Sequence, residues 1–143
     1  MGVHDTYVKN LLNQAVSQKY ITKRSFTIVR FAKGTAQIDG VIKSVKGDIA
    51  VEIESRTAKQ VRGAIIDLFF HKTKKKLLIL VPAYMHDPEK LKRDAIYILK
   101  NLKRLRPEIV FKVVILKGTG MDKKPEEDLE IICKAITQLE KSN

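Results

Sequence analysis

Cysteine is almost missing from this chain: Cys133 stands alone. That excludes a disulfide framework and a cysteine-based zinc centre. Leu129, Ile132 and Ile136 recur around it at helical spacing, and no histidine is near it in sequence. It therefore reads as a buried structural thiol and not as a nucleophile. Histidine is scarce too, and His4, His71 and His86 share no metal-ligand spacing. Long apolar runs are also absent. The longest, Leu77 to Met85, is interrupted by Pro82 and is far short of the roughly 20 residues a spanning helix needs. The chain starts without an apolar signal region, so the expectation is a cytoplasmic protein with no membrane segment. Acids are in short supply, 16 Asp and Glu against 28 Lys and Arg, for a net charge of +12. That excess favours a polyanionic partner, nucleic acid ahead of an anionic membrane surface. The 143 residues, 44% of them hydrophobic, suit a single domain, 1–143, with a proper core. No internal repeat or linker breaks the chain.

Apolar spacing supplies the elements. Residues 5–18 read as a helix, with Val8, Leu11, Leu12, Ala15 and Val16 as its stripe and Asp5 or Thr6 as its cap. Strands follow over 25–32, 35–45 and 48–54, with turns at Lys33-Gly34 and Lys46-Gly47. A helix over 58–71, capped by Ser55 or Thr57, buries Val61, Ala64, Ile65, Leu68 and Phe69. Residues 76–82 form a near-continuous apolar strand, the pattern of a central strand covered on both faces. Asp87-Pro88 opens a helix running to about 105, residues 109–116 make the last strand, and Pro125 starts a final helix to about 140. The order α-β-β-β-α-β-α-β-α predicts an α/β fold. Its mixed central sheet joins an antiparallel meander to β-α-β crossovers, with helices on both faces.

Two of these strands carry acids where a core does not favour them. With a two-residue turn at Lys46-Gly47, Val45 pairs with Asp48, Val41 with Glu52 and Asp39 with Glu54. Opposed residues share a face, so Asp39, Glu52 and Glu54 gather on one side. Opposed Cβ atoms lie about 5 Å apart and diagonal ones roughly 7–8 Å. Three carboxylates on one face repel each other and are best tolerated around a divalent cation. Two alternatives stay open at this level. Asp39-Gly40 is itself a hairpin dipeptide, and a turn there dissolves the cluster. The acids can also be the solvated outer face of an edge strand.

The pattern Ile38-Asp39, then Glu52-Ile53-Glu54 on the next strand, resembles the PD-(D/E)XK nuclease superfamily. The likeness in element order covers about residues 5 to 116. The resemblance implies a restriction-endonuclease-like domain that hydrolyses DNA phosphodiester bonds with Mg2+ (or Mn2+). It makes Asp39 and Glu52 metal ligands, with the backbone carbonyl of Ile53 as another. Glu54 stands where the family usually has lysine, a departure. That leaves either a working Glu variant, in which Glu54 acts as general base, or a domain that has lost catalysis. Superfamily members often place a Gln or Lys on the following helix, so Gln60 or Lys59 is the helper the resemblance implies. Asp67 and His71 on that helix read as an exposed polar face.

Arg56 and Arg62 are candidate phosphate contacts, with Lys59 beside them. Lys72 to Lys76 reads as a solvated loop within reach of phosphates. The cations of residues 90–106 attract nucleic acid without reading bases. Gly118-Thr119-Gly120 lacks the third glycine of a dinucleotide fingerprint and reads as a turn. Glu126, Glu127 and Asp128 complement a helix dipole. The expected function is a metal-dependent DNA endonuclease working as a homodimer, with restriction as one candidate role. The alternative is a catalytically inactive nucleic-acid-binding module on the same fold. A third class, a basic protein-binding domain with the acids as an exposed face, predicts no response to divalent ions.

Overall fold

Runs with period 2 become strands and runs with period 3.6 become helices along a computed structural model that describes residues 2–18, 25–27 and 37–142. The elements are α1 (Val3–Gln18), β1 (Ser25–Thr27), β2 (Gly40–Lys43), β3 (Ile49–Glu54), α2 (Ala58–Phe70) and β4 (Lys75–Leu80). A single 3-10 turn, Pro82–Tyr84, follows, then α3 (Pro88–Lys103), β5 (Val110–Ile115) and α4 (Pro125–Lys141). The predicted element order is the observed one. Of the strand expected over 25–32, residues 28–32 lie outside the described residues, as do Lys33-Gly34 and residues 35–36. No helix among the described residues is long and apolar enough to cross a membrane.

The five strands lie in sequence order. β1, β2 and β3 pair antiparallel, and β3, β4 and β5 pair parallel. The two parallel steps are the crossovers through α2 and α3, which cover one face with Val41, Ala50, Ile65, Leu68, Leu78 and Leu80 in the core between. On the other face α1 and α4 enclose Leu11, Leu12, Ile49, Val51, Leu77, Ile79 and Ile136. β4 is buried along its whole length, as its unbroken apolar run demands. This is the mixed α/β sheet with helices on both faces that the alternation predicts.

The helix ends show where cap reasoning holds and where it does not. Asp87 caps α3 by accepting from the Lys90 amide at 3.1 Å, with Pro88 at the first position. Neither Asp5 nor Thr6 caps α1, because the helix already begins at Val3 and the Thr6 amide donates to the Gly2 carbonyl at 3.0 Å. Thr57 occupies the N-cap position of α2, but its hydroxyl meets the side-chain oxygen of Gln60 and not a backbone amide.

Asp128 is also more than a dipole acid. It is fully buried and accepts from the Tyr7 hydroxyl at 2.7 Å and the amides of Lys117 at 2.6 Å and Gly118 at 2.9 Å. Burial and this bond push the Tyr7 hydroxyl up to about 12. Gly118 is required there, since a Cβ would lie 2.5 Å from the Lys124 amide nitrogen. The loop after β5 is thereby clamped onto the start of α1, which fixes where α1 meets the sheet. Cys133 is half-buried and packs against the α1/α4 core.

The register of the β2–β3 hairpin differs from the two-residue turn. The ladder runs Gly40↔Val51, Val41↔Ala50 and Ile42↔Ile49. Ser44 through Gly47 form the turn, closed by the Gly47 amide on the Ser44 carbonyl at 3.1 Å, with Gly47 at φ 108°. The Asp48 carboxylate stitches it shut by accepting from Lys43 Nζ at 2.9 Å. The pairing is therefore displaced by two residues: Val41 faces Ala50 and not Glu52. A shift of one would have turned every side chain to the opposite face, whereas a shift of two keeps the face and changes the neighbour. Asp39-Gly40 is no hairpin turn, because β2 begins at Gly40 and runs on.

Candidate active site

Extending the ladder one step past Gly40↔Val51 sets Asp39 across from Glu52, not from Glu54. Here the strands part, and side chains take over from the backbone ladder. The Asp39 amide donates to Glu52 Oε1 at 2.7 Å, and the Ile53 amide donates to Asp39 Oδ2 at 2.7 Å. Each acid thus fixes the backbone of the other's strand. A strand residue presents its amide and carbonyl to the same side, so the Ile53 carbonyl shares the Asp39 side of β3. Val81 donates to the Glu54 carbonyl at 2.9 Å, consistent with alternate residues of β3 facing β4.

Burial pushes Glu52 up to about 9, helped by the neighbouring Asp39 charge and opposed by the Asp39 amide. Burial raises Asp39 too, with the Ile53 amide and the Lys9 ammonium opposing it. Two carboxylates this close do not both ionise readily, so the pair as a unit holds its protons above the ordinary carboxylate range. Asp67 on α2 adds to the negative field at Glu52, and burial raises its own carboxyl.

Glu54 is buried but committed elsewhere. Its Oε2 accepts from the amides of Ser55 and Arg56, both at 3.0 Å, and from Arg56 Nε at 2.9 Å. Arg56 Nη2 donates to Oε1 at 3.0 Å. This fork is bidentate, and it raises the guanidinium further above its ordinary value. So Glu54 lies on the Asp39/Glu52 side of the fold, as the shared face requires, yet its charge is met by Arg56 and its Oε2 already takes three donors. Arg56 is 65% exposed at the side chain and is therefore aimed by Glu54 into open cleft.

That cleft has a volume of about 440 Å³, and Asp5, Asp39, Glu52, Ile53, Glu54 and Arg56 line it. α1 contributes two charged residues that sequence reasoning alone does not assign to a site. Asp5 acts on both Asp39 and Arg56, and Lys9 opposes the rise of Asp39. The only signal for Asp5 is its place near a helix start, where it reads as a cap. His4 also lines the cleft. It is buried, accepts from the Gly120 amide through Nδ1 at 2.9 Å, and stands edge-on to Tyr84 at 5.3 Å. Its Nε2 is the one buried side-chain polar atom without a hydrogen-bond partner among the described residues.

The remaining sequence candidates are not brought to this cleft. Gln60 is half-buried and engaged with Thr57. Lys59 is exposed on the first turn of α2. Arg62 lines a different groove, between α2 and α3, with Leu91 and Asp94. Among the described residues no group of three His, Cys, Asp or Glu side chains is arranged to hold a metal ion. The expected triad of carboxylates is therefore a pair, Asp39 and Glu52, because Arg56 holds Glu54.

No family model and no curated protein matches the chain. Among solved structures it is similar to SfsA of Pyrococcus furiosus in complex with Ca2+, at 13% identity and a TM-score of 0.38. The likeness covers 73% of this chain and 55% of that one, so the chain spans about half the length of that protein.

Proposed function

We propose that this chain is a metal-dependent endonuclease acting on DNA, with a restriction-endonuclease-like core and Asp39 and Glu52 as its metal ligands. One observation carries the reading: a buried carboxylate, Glu52, and a half-buried one, Asp39, are cross-braced by each other's strands in the lining of a cleft, in a chain of net charge +12. The donor set fits Mg2+ or Mn2+. Both are hard cations satisfied by one or two carboxylates, here joined by the Ile53 carbonyl and water. Such an ion would supply Lewis acidity and positive charge for a phosphodiester. The chain's own residues do the rest. The amides of Asp39 and Ile53 hold the two carboxylates in place, so little reorganisation is needed when charge develops. Arg56, aimed by Glu54, donates to a phosphate oxygen. Glu54 is a positioning residue in this scheme and not the general base. Lys59, Gln60 and Arg62 stand outside the cleft, where Lys59 and Arg62 are proposed as flanking phosphate contacts. A homodimer, proposed as well, would supply a second site for the second strand.

The test is nicking of supercoiled plasmid at low salt with Mg2+ or Mn2+. The expected result is cleavage by the wild type and a loss of at least about 100-fold in Asp39→Ala and in Glu52→Ala, about 2.7 kcal/mol of transition-state stabilisation. Undiminished cleavage in either variant overturns the ligand assignment. Salt-sensitive DNA binding by a folded wild type that cuts no DNA favours the second reading, an inactive nucleic-acid-binding module. The observation on that side is the Glu54–Arg56 fork, which occupies the place of the family's lysine.

A further inference from the structure

A second cleft lies at the other end of the parallel strands, with a volume of about 800 Å³. The β2–β3 turn, the segment before β4 and the last turn of α4 form its walls. Five of its lining residues are lysines: Lys46, Lys72, Lys74, Lys75 and Lys141. It has two acids, and both are drawn toward the hairpin. Asp48 is held by Lys43 Nζ at 2.9 Å, and Glu140 accepts from the Ser44 hydroxyl at 2.8 Å.

The floor of this cleft is built and not merely solvated. Lys75 is buried, its stem packs on Gly47, and its Nζ donates to the Lys46 carbonyl at 2.7 Å. Just behind, Lys76 is 1% exposed and donates to the His71 carbonyl at 2.6 Å and the Thr73 hydroxyl at 3.1 Å. Arg106 Nη1 donates to the carbonyls of Phe69 at 2.6 Å and His71 at 3.4 Å. Arg106 also pairs through Nε with Glu108 Oε1 at 3.3 Å, so Lys75 and Lys76 are the cations here whose hydrogen-bond partners are neutral oxygens. Burial, then Arg106, lowers Lys76 to about 7; burial, then Lys46, lowers Lys75; burial, then Lys76, Lys72 and Lys43, lowers His71, with Asp48 opposing. A concave surface with five lysines against two acids focuses a positive field outward.

We propose that the cleft between Lys46, Lys72, Lys74 and Lys141 is a second nucleic-acid site, which grips the phosphates of a strand segment distinct from the one at the acidic cleft. β3 separates the two sites by its six residues, Ile49–Glu54, about 20 Å at 3.3 Å per residue. The inference rests on nucleic acid being the partner, and not on cleavage. The grip is electrostatic and independent of base sequence, as lysines bind phosphates as point charges.

The experiment is fluorescence anisotropy of a labelled DNA duplex titrated across salt concentrations. It compares the wild type, the triple variant Lys46→Ala/Lys72→Ala/Lys141→Ala, and a control triple, Lys117→Ala/Lys123→Ala/Lys134→Ala, that removes the same charge from exposed positions elsewhere. The cleft triple is expected to bind at least tenfold more weakly, with a salt slope reduced by about 2 to 3, near 0.9 for each phosphate no longer neutralised. The control is expected to change affinity by less than about threefold. An unchanged slope in the cleft triple, or an equal loss in the control, overturns the proposal. So does cleft-dependent binding to phosphatidylserine vesicles with duplex affinity unaltered. Plasmid nicking on the same variants separates this inference from the proposed function: Asp39→Asn is expected to lose nicking and keep duplex affinity.

Discussion

The two ends of β3 solve opposite electrostatic problems with the same device. At the C-terminal end, the carboxylates of Asp39 and Glu52 sit in a cleft and take backbone amides as partners. At the N-terminal end and behind it, Lys75 and Lys76 take backbone carbonyls. Charge is buried at both ends with neutral dipoles as its main support. Such support satisfies hydrogen bonding and leaves net charge in place. Glu54 is the contrast that makes the point, since its charge is met by Arg56 and it makes no such demand. Structural ion pairs look like Glu54–Arg56; the two clefts look like places where a ligand supplies the missing charge.

The comparison breaks first if the ends do not answer to ions of opposite sign. Mg2+ is expected to raise the melting temperature of the wild type and not of Asp39→Asn, while short duplex DNA raises both. At 100 times the dissociation constant the gain is about 2.7 kcal/mol, several degrees for a domain of this size. Differential scanning fluorimetry reads both arms, and an equal Mg2+ shift in the two proteins refutes the asymmetry.

A smaller and independent effect is the pH dependence of stability, which has opposite signs at the two ends. Glu52 is raised from 4.5 to about 9. The folded state therefore holds a proton that the unfolded state releases, and stability falls as pH rises from about 4.5 to 9. Lys76 is lowered from 10.5 to about 7. The unfolded state then binds the extra proton, and stability rises as pH goes from about 7 to 10.5. Each slope is at most about 1.4 kcal/mol per pH unit. Urea unfolding across pH is expected to show Glu52→Gln losing the fall and Lys76→Met losing the rise. Parallel changes in the two variants would contradict the assignment of one sign to each end.

The smallest expected effect belongs to the contrast residue. Arg56→Ala removes an exposed guanidinium from a carboxylate that keeps the Ser55 and Arg56 amides. Stability is expected to drop by about 1 kcal/mol or less in chemical denaturation. Duplex affinity is expected to fall a few-fold, with a salt slope smaller by about 0.9. An unchanged slope would show that Arg56 does not reach phosphate.

Element order was legible because each run has one dominant period and a local stop, as Asp87-Pro88 and the unbroken Leu77–Val81 stretch illustrate. The hairpin register was not. It depends on Asp48 reaching back to Lys43 and on Asp39 replacing the ladder at the other end, both contacts between a side chain and a neighbouring strand. The face of the acids survived because the displacement is an even number of residues. The roles within the cluster did not, since the Glu54–Arg56 fork depends on how the chain bends after β3. Asp5 was visible only as a helix-start acid, and nothing local tells that α1 delivers it to the cleft. The lysine run was read as a solvated loop, yet Lys75 and Lys76 open β4 and are buried. Their long apolar stems let a charged residue enter a strand while the ammonium finds carbonyls at the end of the sheet.

The central claim is that Asp39 and Glu52 are a cation site. Isothermal titration of Mg2+ or Mn2+ into the protein at low salt tests it most directly, with Asp39→Asn beside the wild type. One saturable site in the wild type and none in the variant is the predicted result. No binding to a folded wild type, or the same isotherm for both proteins, would contradict it.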